Sequence, residues 1–181
     1  MPSRITKWIT TGLTTALVSA GLIALAAPPP VAATTVMRCS GFVDTFYTPG
    51  LTNVEQQVAF TGGDHATACT SQFMPNLRPF EGPFKGTGTE SCLGRFDPGA
   101  SVETLYWNGS TNLTSVWPFS YTAERTDTSV IYTATGRVTS GVATGTTITQ
   151  QIVEPLSDFN ACTEPGGMTL QQGTSTWTFT M

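Results

Sequence analysis

Threonine and other β-branched residues limit most strongly what this chain can fold into. From residue 34 onward, threonine occupies 29 of 148 positions and is accompanied by many valine, isoleucine and aromatic residues. Such side chains suit a pleated strand and lose rotamer freedom in a helix. No segment of this part keeps a 3.6-residue apolar period for three turns, whereas several alternate with a period of two. The sequence therefore predicts an all-β fold.

Turn-forming residues divide this part of the chain into about nine expected strands. Gly62-Gly63-Asp64 is expected to turn the chain between one strand and the next, which carries Cys69. Residues 71–83 contain three prolines, which donate no ladder hydrogen bond, so this span is expected to be a long loop or an edge. Asn108-Gly109 is typical of a tight hairpin, because both residues tolerate a positive φ.

The second half of the chain reads as a meander. Its last strand, over residues 168–181, could pair with an early strand and so remove both sheet edges. This favours a single antiparallel β-barrel, and a two-sheet β-sandwich is the alternative.

The N-terminus has the order of a secretory signal. Arg4 and Lys7 precede an apolar stretch over residues 9–27, and small residues follow up to Ala33. We therefore expect a signal peptide over residues 1–33 and a single secreted β domain over residues 34–181, extracellular and with no membrane association after cleavage. Cleavage would leave six basic against twelve acidic residues, a net charge of −6. Nucleic acid is accordingly not an expected partner.

Four cysteines lie in the expected domain: Cys39, Cys69, Cys92 and Cys162. An even number in a secreted chain is typical of disulfides, and four cysteines allow three connectivities. Pairing Cys39 with Cys69 and Cys92 with Cys162 is favoured, because the first pair brackets an apparent hairpin. A zinc site is disfavoured because there is no CxxC motif and only one histidine. We expect no metal and no cofactor.

Catalytic signals are sparse. His65 follows Asp64, but adjacent residues on a turn rarely form a catalytic pair, so a surface histidine is expected. The twelve acidic residues are scattered singly, and no GxSxG motif is present. No catalytic residue is assigned, and a hydrolase is the least favoured function.

Aromatic residues give a more specific hypothesis. Tyr106, Trp107, Asn108 and Trp117 lie around one hairpin, where rings beside an amide would stack on a sugar or close a barrel pocket. The alternative is that these rings are core. Trp107, next to the turn, is expected to be the most exposed of them, whereas Trp177 is expected to be core. Asn108 also begins an N-glycosylation sequon, as does Asn112.

The loop over residues 71–83 supports a different hypothesis. A rigid loop next to Cys69, with Met74 or Arg78 at its crest, would suit a protease inhibitor or a structural surface protein that contacts an extracellular protein.

Several short motifs also carry a resemblance. They are Cys39-Ser-Gly41, Tyr47-Thr-Pro-Gly-Leu51, Trp107-Asn-Gly109 and Gly136-Arg-Val-Thr-Ser-Gly141. Together they resemble a group of small secreted bacterial proteins with two disulfides and no assigned activity. The resemblance implies secretion and a β fold, and it implies no catalytic residues. The function expected from the sequence is a secreted, non-catalytic binding module for a glycan or a small apolar ligand.

Overall fold

The computed structural model describes residues 33–71, 73–77 and 79–181. The expected signal peptide, apart from its last residue, lies outside these ranges. Within them the chain forms nine β-strands and two 3₁₀ helices. The strands are β1 (Thr35–Leu51), β2 (Gln56–Ser71), β3 (Phe80–Glu90), β4 (Gly99–Trp107), β5 (Thr114–Arg125), β6 (Ser129–Arg137), β7 (Ser140–Gly141), β8 (Thr147–Pro155) and β9 (Met168–Thr180); the 3₁₀ helices are Gly94–Phe96 and Leu156–Thr163. No helix in the described ranges is both long and apolar enough to span a membrane.

Eight of the strands close into an antiparallel barrel. Neighbouring strands follow the order β4-β3-β2-β1-β9-β8-β6-β5, and β5 pairs back with β4. The short strand β7 lies outside the ring, on β5. The barrel favoured by the sequence is confirmed, as is the expected pairing of the last strand with an early one, β1.

The turn expected at Gly62-Gly63-Asp64 was wrong, because β2 runs through these residues without a break. A Cβ atom at Gly62 would lie 2.1 Å from the backbone carbonyl oxygen of Asp44 on β1. Gly62 therefore lets two strands approach closely, which is a common role of glycine inside a sheet. The proline-rich loop is also shorter than expected, since β3 begins at Phe80.

Both favoured disulfides are confirmed. Cys39 lies directly opposite Cys69 in the β1–β2 ladder, with their Cα atoms 4.1 Å apart. Cys92 and Cys162, with Cα atoms 6.3 Å apart, join the segment after β3 to the 3₁₀ helix Leu156–Thr163. No cysteine of the described part is free. Two disulfides are typical of a protein that folds in an oxidising compartment.

Large aromatic side chains fill one end of the barrel. Trp107, Trp117, Trp177, Phe80 and Phe179 are almost completely buried there. The ring of Phe80 packs edge-on against Trp107 at 4.8 Å and against Trp177 at 5.1 Å between centroids. We refer to this packed region as the aromatic end. The expectation that Trp177 is core is confirmed.

The exposure expected for Trp107 was wrong: its side chain has no accessible surface. Trp107 lies two residues after the buried Leu105 on β4, so both side chains face the interior. The indole Nε1 of Trp107 donates a hydrogen bond to Ser115 Oγ at 2.8 Å. The loop before β3 packs against this end of the barrel through Met74 and Leu77. It is joined to the hairpin turn by a hydrogen bond of 3.0 Å from the backbone N–H of Asn108 to the Pro79 carbonyl. Proximity to a turn in sequence therefore did not bring the ring to the surface.

We predict that Trp107→Ala and Trp177→Ala each lower the free energy of unfolding by about 3 to 5 kcal/mol, because each leaves a cavity in a close-packed region. Urea denaturation followed by circular dichroism measures this. Phe73→Ala is the matched control, since that ring is 58% exposed and should change stability little. A Trp107→Ala loss as small as that of Phe73→Ala would contradict the observed packing.

A candidate ligand cavity inside the barrel

Beyond the aromatic end, the inward-facing residues become polar. On β9, Ser175 and Gln171 are buried in the same interior as Trp177, and on β8, Gln150 and Glu154 take the inward positions after Ile148. A cavity of about 600 Å³ lies among the side chains of this half of the barrel. This volume is within the range of small-molecule sites in proteins.

The cavity opens through the side of the barrel, between β3 and β4. These strands pair only through Phe80 with Trp107 and Glu81 with Tyr106, next to the aromatic end. The rest of each strand has no ladder partner on the facing edge. Val102 on β4 lines the cavity although it is 65% exposed, as expected for a residue at a lateral mouth.

The lining combines rings and aliphatic groups with charged side chains. The apolar and aromatic members include Val43, Phe60, Phe84, Phe119, Tyr121 and Ile152, and the ionisable members include Asp64, Lys85, Glu90, Arg95, Glu103 and Glu154. Polar and apolar groups contribute to this lining in similar amounts, which favours an organic molecule that carries both kinds of surface.

A pair of carboxyl groups lies next to the aromatic end. Gln150 Nε2 donates to Asp64 Oδ1 at 2.8 Å and to Ser175 Oγ at 3.1 Å. Glu103 reaches towards Asp64 from β4 across Gly82 of β3. A Cβ atom at Gly82 would lie 1.8 Å from Glu103 Oε1, so any larger residue there would displace this carboxyl.

Both carboxyl groups hold their protons more strongly than exposed ones do. Burial raises the pKa of Asp64, although hydrogen bonds from Glu103 and Gln150 oppose part of this effect. Burial also raises the pKa of Glu103 well above its ordinary value, and the nearby charge of Asp64 raises it further. The pair therefore retains a proton at pH values where surface carboxyls have lost theirs.

A second polar group surrounds Arg95, which the 3₁₀ helix Gly94–Phe96 places against the cavity. The Arg95 Cζ atom lies 5.5 Å from the ring centroid of Tyr132. Tyr47 donates to Gln171 Oε1 at 2.9 Å, and Gln171 Nε2 donates in turn to Glu154. Burial raises the pKa of Glu154 to about 7, even though the charge of Arg95 acts in the opposite direction.

Two buried polar atoms of the lining, Arg95 Nε and Glu103 Oε1, have no hydrogen-bond partner among the described protein groups. An unsatisfied buried polar group costs about 1 to 3 kcal/mol, so each one needs an explanation. The other such atoms in the described part are the indole nitrogens of Trp117 and Trp177, in the aromatic end.

The structure distributes the four predicted ligand-binding residues over three different environments. Tyr106 lines the cavity mouth, and Trp107 and Trp117 are fully buried. Trp117 does not line the cavity, but its ring stacks at 4.4 Å between centroids on Phe119, which does. Asn108 lies in the exposed hairpin turn, where its Nδ2 donates to the Asn76 carbonyl at 3.2 Å.

His65 lies on strand β2 and not on a turn. Its Nε2 atom is 3.4 Å from Asp44 Oδ1, its Nδ1 contacts Glu81, and its ring stacks on Phe42 at 4.6 Å. The side chain is 29% exposed, so the histidine belongs to a partly exposed surface cluster. In the described part of the chain, no three His, Cys, Asp or Glu side chains are grouped so that they could hold a metal ion.

Sequence reasoning missed the interior ionisable residues. Glu103 shares the inward phase with Leu105 and Trp107, so its position was readable from period-two alternation. The same holds for Glu154 relative to Ile148. Arg95 follows the disulfide-bonded Cys92 in a segment without periodicity, and no sequence signal identified it.

Comparisons with known protein families, curated proteins and solved structures find no match for this chain. The site is therefore interpreted from its own geometry.

We predict that the protein becomes less stable as the pH rises from about 4.5 to about 7. The pKa of Glu154 is raised from 4.5 to about 7 in the folded state. The folded protein therefore binds more protons than the unfolded chain across this window, and Asp64 acts in the same direction. Each unit of difference corresponds to about 1.4 kcal/mol. Urea denaturation at a series of pH values measures the slope.

Glu154→Gln should make this slope shallower, because it removes one of the titrating groups. Glu124→Gln is the control, since Glu124 is exposed and should leave the slope unchanged. Stability that rises through this window in the parent protein would show that the buried carboxyls do not hold their protons.

Proposed function

We propose that this protein is a secreted, non-catalytic binding protein that holds a small, largely apolar organic molecule inside its barrel. One observation carries the proposal: the wall of a lateral cavity of about 600 Å³ includes two buried polar atoms, Arg95 Nε and Glu103 Oε1, that have no hydrogen-bond partner among the described residues. A ligand with an apolar body and a few polar groups would satisfy both features of this cavity.

The free energy lost by leaving this cavity unfilled favours a binding site over a simple packing fault. Protein interiors pack as densely as organic crystals, so a barrel whose side chains leave this volume unfilled gives up dispersion contacts that a filled core would have. A cavity of this volume, with unpaired polar atoms, therefore represents stability given up within the barrel. Such a loss is expected where a binding site needs room.

The lining favours a small molecule over a glycan chain. Surface sites for glycans commonly present an exposed ring as a stacking platform. The tryptophans at positions 107, 117 and 177 are all fully buried. Rings that are available to a ligand, such as Phe60 and Phe84, line the cavity instead.

The inhibitor hypothesis draws less support from the structure. Met74 and Leu77 of the proline-rich loop pack against the aromatic end, so they are less available to a protease. Arg78, the other crest residue of that hypothesis, lies outside the described residues.

Secretion is part of the proposal. Both disulfides support it, because a chain that must keep two disulfides requires an oxidising environment.

N-phenyl-1-naphthylamine, a neutral dye that fluoresces in apolar sites, tests the proposal. We predict saturable binding to the parent protein with a stoichiometry of one. Ser101→Phe should weaken binding by about tenfold or more, equivalent to ~1.4 kcal/mol, because the added ring would occupy space at a cavity-lining position.

Val54→Phe is the matched control, because Val54 is 74% exposed and does not line the cavity. Circular dichroism would establish that both variants fold. Equal binding by the two variants, or no saturable binding by the parent protein, would contradict binding in the barrel.

A further inference from the structure

Arg95 is held rigidly at the cavity wall. Three residues before it, Cys92 forms its disulfide with Cys162 of the 3₁₀ helix Leu156–Thr163. Immediately after Arg95, Phe96 stacks on Phe159 of the same helix at 5.3 Å between centroids. The segment carrying the guanidinium is thus attached to this 3₁₀ helix on both sides of Arg95. A group positioned in this way loses little conformational entropy when it binds a ligand.

The charge of Arg95 has no partner of opposite sign in direct contact. Within the described residues Arg95 forms no salt bridge, and its Nε is buried without an acceptor. Glu154 is an acidic neighbour whose charge acts on Arg95. It accepts a hydrogen bond from Gln171, and burial raises its pKa to about 7. At mildly acidic pH this carboxyl is largely neutral and leaves the guanidinium uncompensated.

We propose that the ligand is an organic acid whose carboxylate pairs with Arg95 while its apolar body occupies the ring-lined part of the cavity. This rests on the proposed function. A guanidinium presents N–H groups in a planar fork that matches a carboxylate, and such charge-assisted hydrogen bonds are the stronger kind. The buried Nε–H would then gain an acceptor.

The other ionisable groups of the cavity permit an anion to bind. Asp64 and Glu103 retain a proton between them, because burial raises the pKa of both carboxyls. Lys85, exposed on β3, adds a positive charge to the lining, and Glu90 adds a negative one. With the buried carboxyls protonated, Arg95 is the dominant charge of the interior.

A matched pair of competitors tests this inference without any mutation. The acid 1-naphthoate and the alcohol 1-naphthalenemethanol have the same ring system and differ in charge. Each is used to displace N-phenyl-1-naphthylamine from the parent protein at mildly acidic pH, where naphthoate is ionised. We expect the acid to displace the dye at a concentration about 10- to 100-fold lower than the alcohol does. Equal potency, or a more potent alcohol, would overturn the proposal.

Arg95→Met assigns the effect to its residue. It should remove the advantage of the acid, which is read as the ratio of the concentrations at which the acid and the alcohol displace the dye from the same variant. Arg137→Met makes the same change of charge on the exposed side of β6 and should preserve the advantage. Loss of the advantage in both variants would show a general charge effect and would overturn the role of Arg95.

The two proposals fail in distinguishable ways. If the dye binds and the acid has no advantage, the organic-acid inference is wrong and the binding function stands. If the parent protein binds neither the dye nor the competitors, both are wrong. If Arg95→Met does not fold, the competition on the parent protein alone still decides the question.

Discussion

Closure of the sheet into a ring is the constraint on which the rest of this structure depends. Once β1 pairs with β9 and β4 pairs with β5, alternate residues of the barrel strands face one shared interior, except at the register shifts of β1. The interior is filled by rings at one end and only partly filled at the other. Where the filling stops, the same alternation that buries Trp177 brings Ser175 and Gln171 inward. The cavity therefore arises because the inward-facing residues are large rings at one end of the barrel and smaller polar residues at the other.

The incomplete pairing of β3 and β4 gives that interior an entrance. Two ladder pairs beside the aromatic end hold the strands together, and the remaining edges separate along the cavity. At the point of separation, the absent side chain of Gly82 makes room for Glu103. Elsewhere in the lining, a disulfide and a ring stack fix the segment that carries Arg95. The lateral opening thus connects solvent to a polar site that is anchored on several elements.

Much of the fold was predictable from local chemistry. Threonine and β-branched content predicted the strands, and Asn108-Gly109 predicted the hairpin turn, in which both residues have a positive φ. The site was less predictable, because inward polar residues such as Gln150 and Glu154 resemble surface residues when each strand is read alone. Asp64 was misread as part of a glycine turn, since Gly62 indicates a turn and a close strand contact equally well. Arg95 depends on the Cys92–Cys162 disulfide for its position, and that is a long-range contact.

Native mass spectrometry of the protein purified from the culture of its own source tests the central claim most directly. If the barrel is a binding protein, a fraction of the folded molecules should carry one additional small organic molecule, which is released on denaturation and can then be identified. A folded protein that shows only the mass of its own chain in repeated preparations, and that takes up no molecule from an extract of the culture medium, would contradict the account.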